Sequence, residues 1–367
     1  MTRIDLRLCC MLIGAGLFLA AAFSIPALTQ EQEHSEEAMG AGSTTHDMAD
    51  MDMADMSNGD HQLTHEMIEE LRAKIALYRE YTDEEINFGM RMMGAAREVY
   101  VSDESVTQAI GVLALDHGTL EPGDTQLKNA YTEISKQFPT AIAFGMAMMG
   151  SSTIQSAVDK LVAAGAETIV VIPGSPVKHS SLVRQWHYIF GLREDSAYLD
   201  APLVKTEAKI VMAQPPGDSP DITAILLDFA REVSTDPENE VVIIVSHGPE
   251  EREGENEKEL ALLAGQAEII RQEGHFAEVR AVTLQDDAPS AIRAANVEKL
   301  RNWVETATNE GRRVLIVTNL LTESMIQKKI DQDLNGLTYE FNRKGLTLHP
   351  RFQDWIANTV KDALNES

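Results

Sequence analysis

Cysteine is almost absent from this chain. Its only two cysteines, Cys9 and Cys10, lie within an apolar run near the N-terminus. This run follows Arg3 and Arg7, is short for a membrane span and leads into small residues, so we assign residues 1–27 to a secretory signal peptide. An uncleaved N-terminal anchor is the alternative. A mature protein without thiols excludes disulfides, cysteine-ligated zinc, iron–sulfur clusters and cysteine nucleophiles. Because of the predicted signal peptide, we expect an exported protein, periplasmic or secreted.

Basic residues are also scarce. The chain has 31 Lys and Arg against 58 Asp and Glu, which gives a formal net charge of −27. Such a charge argues against nucleic acid as a partner, and against an anionic membrane once the leader is removed. The length that remains is sufficient for two domains of ordinary size.

Lys and Arg are missing altogether from residues 28–66. This stretch contains ten acidic residues, five Met and four His and has no sustained hydrophobic period, so we predict a disordered Met/His/Asp-rich tail. Thioether and imidazole groups together suit Cu(I), whereas His with Asp suits divalent ions. The candidate metal ligands of the tail are His46, Met48, Met51, Met53 and Met56. A solvated tether is the alternative interpretation.

Residues 67–104 are predicted to form a helical N-terminal extension. The first helix has the amphipathic sequence HEMIEELRAKIALYREY. Thr82 and Glu85 form a capping-box signature before the second, EEINFGMRMMGAAREVYV. The string FGMRMMG in that helix recurs as FGMAMMG at 144–150, which we interpret as Met-rich packing.

From about residue 105 onward, apolar strands alternate with amphipathic helices. The predicted strands are 109–115, 140–144, 168–172, 209–213, 241–245, 277–283, 313–318 and 337–341. The predicted helices are 123–137, 153–164, 180–191, 219–233, 256–273, 290–308, 322–333 and 351–364. A polar break around Pro237 divides the series into lobe one (105–235) and lobe two (238–367). The alternation predicts an α/β fold of two tandem lobes, each with a mostly parallel sheet covered by helices on both faces.

Histidines follow three of the predicted strands. The strand in AIGVLALDHGT ends at His117, and the strand in EVVIIVSHGPE ends at His247, each time before a glycine. His179 follows a third strand in TIVVIPGSPVKHSSLVRQW, and His117 and His179 are expected at one sheet edge, where open α/β sheets bind ligands. Neutral imidazole binds divalent metals and accepts protons, so we predict a metal or proton-transfer site, with Asp116 as an acceptor for the ring of His117. For each histidine taken alone, a structural role is the alternative.

These residues resemble the class II chelatases of the CbiX and SirB type, which are sirohydrochlorin cobaltochelatases and ferrochelatases. The resemblance covers about 105–365 and implies tandem flavodoxin-like, chelatase-like lobes. It also implies that His117 and His179 bind the metal and abstract protons during its insertion into a tetrapyrrole. Met148 stands where the family usually has a glutamate. Lobe two keeps His247 but has no histidine in the loop after its third strand, VTNLLTESMIQKK, so lobe two is expected to be a degenerate, supporting copy.

The resemblance implies a lyase that inserts Co²⁺, or else Fe²⁺ or Ni²⁺, into a sirohydrochlorin-type tetrapyrrole, as in cobalamin biosynthesis. Arg184 is a candidate partner for the carboxylates of such a substrate. The alternative is an exported metal-binding or metal-delivery protein that has the chelatase fold without turnover. The sequence allows a homodimer but does not indicate one.

Overall fold

The computed structural model describes residues 63–92, 96–118, 121–145, 151–250 and 252–366. The predicted signal peptide, Met148 and all five metal candidates of the tail lie outside these ranges. Within them, no helix combines the length and the apolar character that crossing a membrane requires.

Two sheets form the centre of the described residues, one in each lobe. The strands of lobe one are β1 (Arg97–Tyr100), β2 (Ile110–Asp116), β3 (Thr140–Phe144), β4 (Thr168–Pro173) and β5 (Lys209–Met212). Those of lobe two are β6 (Glu240–Ser246), β7 (Glu278–Thr283), β8 (Arg313–Asn319) and β9 (Glu340–Asn342). The strand orders are β1-β3-β2-β4-β5 and β7-β6-β8-β9. Every neighbouring pair is parallel except β1 with β3.

Helices connect these strands, and two precede them. In lobe one and the extension they are α1 (His65–Lys74), α2 (Asp83–Met92), α3 (Gly123–Ala130), α4 (Ser152–Ala163), α5 (Ser181–Ile189) and α6 (Pro220–Val233). In lobe two they are α7 (Glu255–Gly274), α8 (Ser290–Asn309), α9 (Met325–Asp333) and α10 (Arg351–Glu366). Short 3₁₀ helices occupy Ala76–Glu80, Ile134–Lys136, Pro237–Asn239 and Leu346–Leu348. The predicted fold class, two α/β lobes with mostly parallel sheets, is confirmed.

The N-terminal extension differs from its prediction at both ends. Leu63 is buried and Thr64 caps α1 by accepting the N–H of Met67, so the last residues assigned to the tail belong to the fold. The capping box of Thr82 and Glu85 is present, but α2 ends at Met92. The prediction that the second helix continues through REVY is wrong, because those residues form β1.

Strand β1 owes its conformation to a distant partner. Its residues pair antiparallel with β3, Arg97 opposite Phe144 and Tyr100 opposite Ala141. Without β1, β3 would be an edge strand with unpaired backbone groups, and pairing satisfies them. Val99 and Tyr100 pack on different hydrophobic clusters on the two faces of the sheet, as successive residues of a strand do. Tertiary pairing therefore overrides the local helical pattern here.

The two lobes exchange helices across their contact. Helix α6 follows the last strand of lobe one but packs on β8 and β9 of lobe two. Helix α10, the last of lobe two, packs on β4 and β5 of lobe one. A single buried cluster consequently includes Val170 of lobe one, Ile244 of lobe two, Phe229 of α6 and Trp355 of α10. This shared core holds the carboxyl ends of the lobe-one strands beside the first turns of α7.

Candidate functional site

The first candidate residue lies at the turn after β2. His117 is exposed, and Gly118 has a φ of +84°, a left-handed conformation that glycine adopts without strain. The buried carboxylate of Asp116 accepts the N–H of Gly118 at 2.8 Å, so in this structure it holds the turn. Burial raises the pKa of Asp116, although the nearby His117 opposes the effect. A role of Asp116 on the ring of His117 stays a prediction.

His179 lies in the loop between β4 and α5, just before Ser180, which caps α5. The imidazole is partly buried, and its Nδ1 lies 3.5 Å from Oε2 of Glu255, at the first turn of α7 in lobe two. Burial lowers the pKa of His179, and the Glu255 carboxylate opposes the shift. The ring is therefore neutral near pH 7, which is the form that binds a metal or accepts a proton.

Glu259 lies one turn beyond Glu255 on the same face of α7. It is 1 % exposed, and the backbone N–H groups of Lys178 and His179 face its carboxylate closely enough to lower its pKa. Its Oε2 has no hydrogen-bond partner among the described residues. Desolvation nevertheless dominates and raises the pKa of Glu259 to about 7.

A third carboxylate of lobe two, that of Glu250, caps the start of α5. It accepts the N–H of Ser181 at 2.9 Å and the hydroxyl of Tyr198 at 2.8 Å. Arg184 lies 3.9 Å from this carboxylate, and its guanidinium also donates to the backbone carbonyl of His179 at 3.1 Å. In this structure Arg184 thus stabilises the loop that carries His179, and its contact with a substrate carboxylate stays a prediction.

The corresponding histidine of lobe two has different surroundings. His247 also precedes a left-handed glycine, Gly248, with φ of +79°. Its Nε2 lies 3.6 Å from Oδ2 of Asp287. Burial disfavours the charged ring, but the carboxylates of Asp287 and Asp286 outweigh it and raise the pKa of His247. The side chain of Asp286 is buried and accepts a hydrogen bond from Arg293 at 2.6 Å, so this edge of lobe two is an ion-pair network.

No protein family and no curated protein sequence matches the chain. Among solved structures, SirB from Bacillus subtilis, determined with Fe³⁺, aligns with a TM-score of 0.52 at 16% identity, over 70% of this chain and 96% of SirB. The fold is chelatase-like. DR2241 from Deinococcus radiodurans, a multi-domain protein with structural similarity to chelatases and two additional novel domains, aligns with a TM-score of 0.45 at 14% identity. That alignment covers 69% of this chain and 55% of DR2241, so the chain spans about half its length.

The chelatase-like fold brings the two predicted site histidines to one sheet edge. Strands β2 and β4 are hydrogen-bonded neighbours, with Leu115 opposite Pro173, and His117 and His179 follow their carboxyl ends. In the described ranges no group of three or more His, Cys, Asp or Glu side chains is arranged to hold a metal ion. The binding of a metal by His117 and His179 stays a prediction, as does any part played by Met148.

Sequence reasoning missed the carboxylates that surround His179. Glu250, Glu255 and Glu259 come more than 70 residues after it and belong to the other lobe. The sequence contained only a weak signal for two of these carboxylates. Glu255 and Glu259 are spaced i, i+4 at the start of a predicted helix, a spacing that places two side chains on one face. The packing of the two lobes decides which loop this face of the helix contacts, and local sequence patterns do not predict that packing.

Proposed function

We propose that this chain is a chelatase-like lyase that inserts a divalent metal ion into a sirohydrochlorin-type tetrapyrrole, with Co²⁺ as the first candidate and Fe²⁺ or Ni²⁺ as others. One observation carries the proposal: His117 and His179 follow two adjacent parallel strands at the carboxyl edge of a chelatase-like sheet. In open α/β folds this edge is where ligands bind.

The chemistry required fits the two side chains. Insertion replaces two pyrrole N–H protons by one M²⁺ ion, so the site must deliver the ion and accept protons. His117 is exposed just after the end of β2. Burial holds His179 in the neutral form, which can act as a ligand or accept a proton. A site with few protein ligands suits an ion that must be released, unlike a closed four-ligand structural site.

A direct assay tests this proposal. Mature protein is mixed with sirohydrochlorin and Co²⁺, and the absorbance change of the tetrapyrrole is followed against the double variant His117→Ala, His179→Ala. We expect acceleration by the wild type and its loss in the double variant. The same assay with Fe²⁺ and Ni²⁺ ranks the metals. No acceleration over the protein-free reaction with any of the three ions would overturn the proposal.

A metal-delivery protein is the second candidate, and Met148 favours it. A thioether at the position where the chelatases have a glutamate neither balances the charge of the cation nor accepts a proton. In this case the protein takes up metal stoichiometrically without accelerating insertion, and both histidines are still needed for uptake. The signal-peptide pattern of residues 1–27 supports our further proposal of export, which cell fractionation with and without those residues tests.

A further inference from the structure

We infer that Glu255 of lobe two is a positioning residue for His179 of lobe one: its carboxylate accepts a hydrogen bond from Nδ1–H of the neutral ring, which leaves the lone pair of Nε2 to meet the metal. The inference rests on the proposed metal site but not on turnover. It gives lobe two a defined part in the site, because Glu255 reaches His179 across the contact between the lobes.

Three contacts orient the loop of His179, two of them from lobe two and one from lobe one. The ring nitrogen Nδ1 of His179 lies 3.5 Å from Glu255 of lobe two. The backbone N–H of His179 faces the buried carboxylate of Glu259, also of lobe two, closely enough to lower its pKa. The backbone carbonyl of His179 accepts a hydrogen bond from Arg184 of lobe one, which lies 3.9 Å from Glu250 of lobe two. Side chains of lobe two therefore surround both the backbone and the ring of His179.

The partner of Nδ1 decides which nitrogen can bind a metal. A neutral imidazole has one N–H and one lone pair, and the partner of one nitrogen determines the role of the other. Metal-binding histidines in proteins commonly donate their second ring N–H to a carboxylate, which fixes the tautomer and makes the ligand more basic. Glu255 stands at the Nδ1 side of His179, and Nε2 makes no hydrogen bond within the described residues. A distance of 3.5 Å is long for a hydrogen bond, but such contacts shorten when the ligand binds.

A carboxylate at the start of α7 has a simpler use as well, because it stabilises the positive end of the helix. Glu257 provides the comparison. It belongs to the same first turn and is exposed. Near the positive end of the helix the two carboxylates contribute in similar measure, but Glu255 also forms an ion pair with Lys258 at 3.2 Å. The variant Lys258→Ala removes that pair alone, so an effect of Glu255→Ala that neither Glu257→Ala nor Lys258→Ala reproduces reports the contact with the histidine.

The test uses the mature protein and the variants Glu255→Ala, Glu255→Gln, Glu257→Ala and Lys258→Ala. In the metal-free protein, the ¹⁵N chemical shifts of the His179 ring, assigned by their loss in His179→Ala, report which nitrogen carries the proton. We expect the Nδ1–H tautomer in the wild type, in Glu257→Ala and in Lys258→Ala, and a mixture of tautomers in Glu255→Ala. We expect the dissociation constant for Co²⁺, from titration calorimetry, to rise about tenfold in Glu255→Ala and to stay unchanged in Glu257→Ala and Lys258→Ala.

The variant Glu255→Gln keeps the shape of the side chain, and we expect an intermediate effect because a neutral acceptor forms the weaker hydrogen bond. An Nε2–H tautomer in the wild type, or a Co²⁺ affinity in Glu255→Ala equal to that in Glu257→Ala or Lys258→Ala, overturns the inference. Neither readout needs a tetrapyrrole. If the wild type fails to accelerate insertion while both readouts respond to Glu255, the enzymatic proposal fails and the positioning role stands.

Discussion

The two lobes begin alike and then differ. In each, the central strand ends in a histidine followed by a left-handed glycine, His117 with Gly118 and His247 with Gly248. In lobe one this histidine is exposed, and the loop after the third parallel strand adds a second one. In lobe two the histidine faces Asp287 beside a buried ion-pair network, and the third strand ends in a buried asparagine, Asn319. The comparison teaches that the His-Gly step specifies a backbone turn, and that the surrounding charges determine what its imidazole can do.

Single substitutions of the two matched histidines give the largest expected difference. We expect His117→Ala to slow metal insertion by about a hundredfold or more, the usual scale for the loss of a residue that transfers protons. We expect His247→Ala to leave the rate nearly unchanged, because its ring is engaged by Asp287. Initial rates from tetrapyrrole absorbance measure both. Equal losses would abolish the distinction between the lobes, and circular dichroism of each variant controls for folding.

Alanine substitutions of the two glycines, Gly118 and Gly248, are expected to lower the stability of the protein by different amounts. An alanine at either position takes on the strain of a left-handed backbone, about 1 kcal/mol. A Cβ at Gly248 would also lie 2.6 Å from Cβ of Thr283, whereas at Gly118 the nearest atoms are 4.0 Å away. We therefore expect Gly118→Ala to lower the free energy of unfolding by about 1 kcal/mol and Gly248→Ala by about 3 kcal/mol. Urea denaturation measures both, and equal costs would show that the turn of lobe two has room to relax.

Glu259, at the contact between the lobes, is expected to make the free energy of unfolding depend on pH. Its pKa in the folded protein is about 7, above the ordinary value of 4.5, so the folded state binds this proton more tightly than the unfolded chain does. Stability from this group is therefore present below about pH 4.5 and is lost as the pH rises through 7. The loss is on the order of 3 kcal/mol.

Denaturation of the metal-free protein at pH 5 and pH 8 measures this loss. We expect Glu259→Gln to reduce the difference between the two pH values, because the amide does not ionise. The exposed Glu257, changed to Gln, is the matched control and is expected to follow the wild type. A pH difference that persists unchanged in Glu259→Gln would show that other groups cause it.

Much of the fold could be predicted from the sequence because its central strands are buried on both faces. Strands such as β2 and β6 are nearly continuous runs of Val, Ile, Leu and Ala, and their bounds agree with the predictions to within one or two residues. The short strand β1 was predicted as helix because its only neighbour, β3, lies about 40 residues later in the chain. Local patterns do not contain that partner.

The site was predictable in part for the same reason. The placement of His117 and His179 at one sheet edge follows from the parallel alternation of strand and helix, which is a local pattern repeated along the chain. The carboxylates of Glu250, Glu255 and Glu259 reach His179 only because the lobes pack together. Long-range packing of this kind leaves no periodic signal in a single sequence.

The exchange of α6 and α10 has a consequence for biosynthesis. One face of the lobe-one sheet, along β4 and β5, is covered by the sixteen residues Arg351–Glu366 at the end of the described chain. During synthesis, that face stays uncovered until residues 351–366 have emerged. Lobe one therefore reaches its final packing only after lobe two has been made, and the histidines at its edge acquire their final surroundings only when α10 docks.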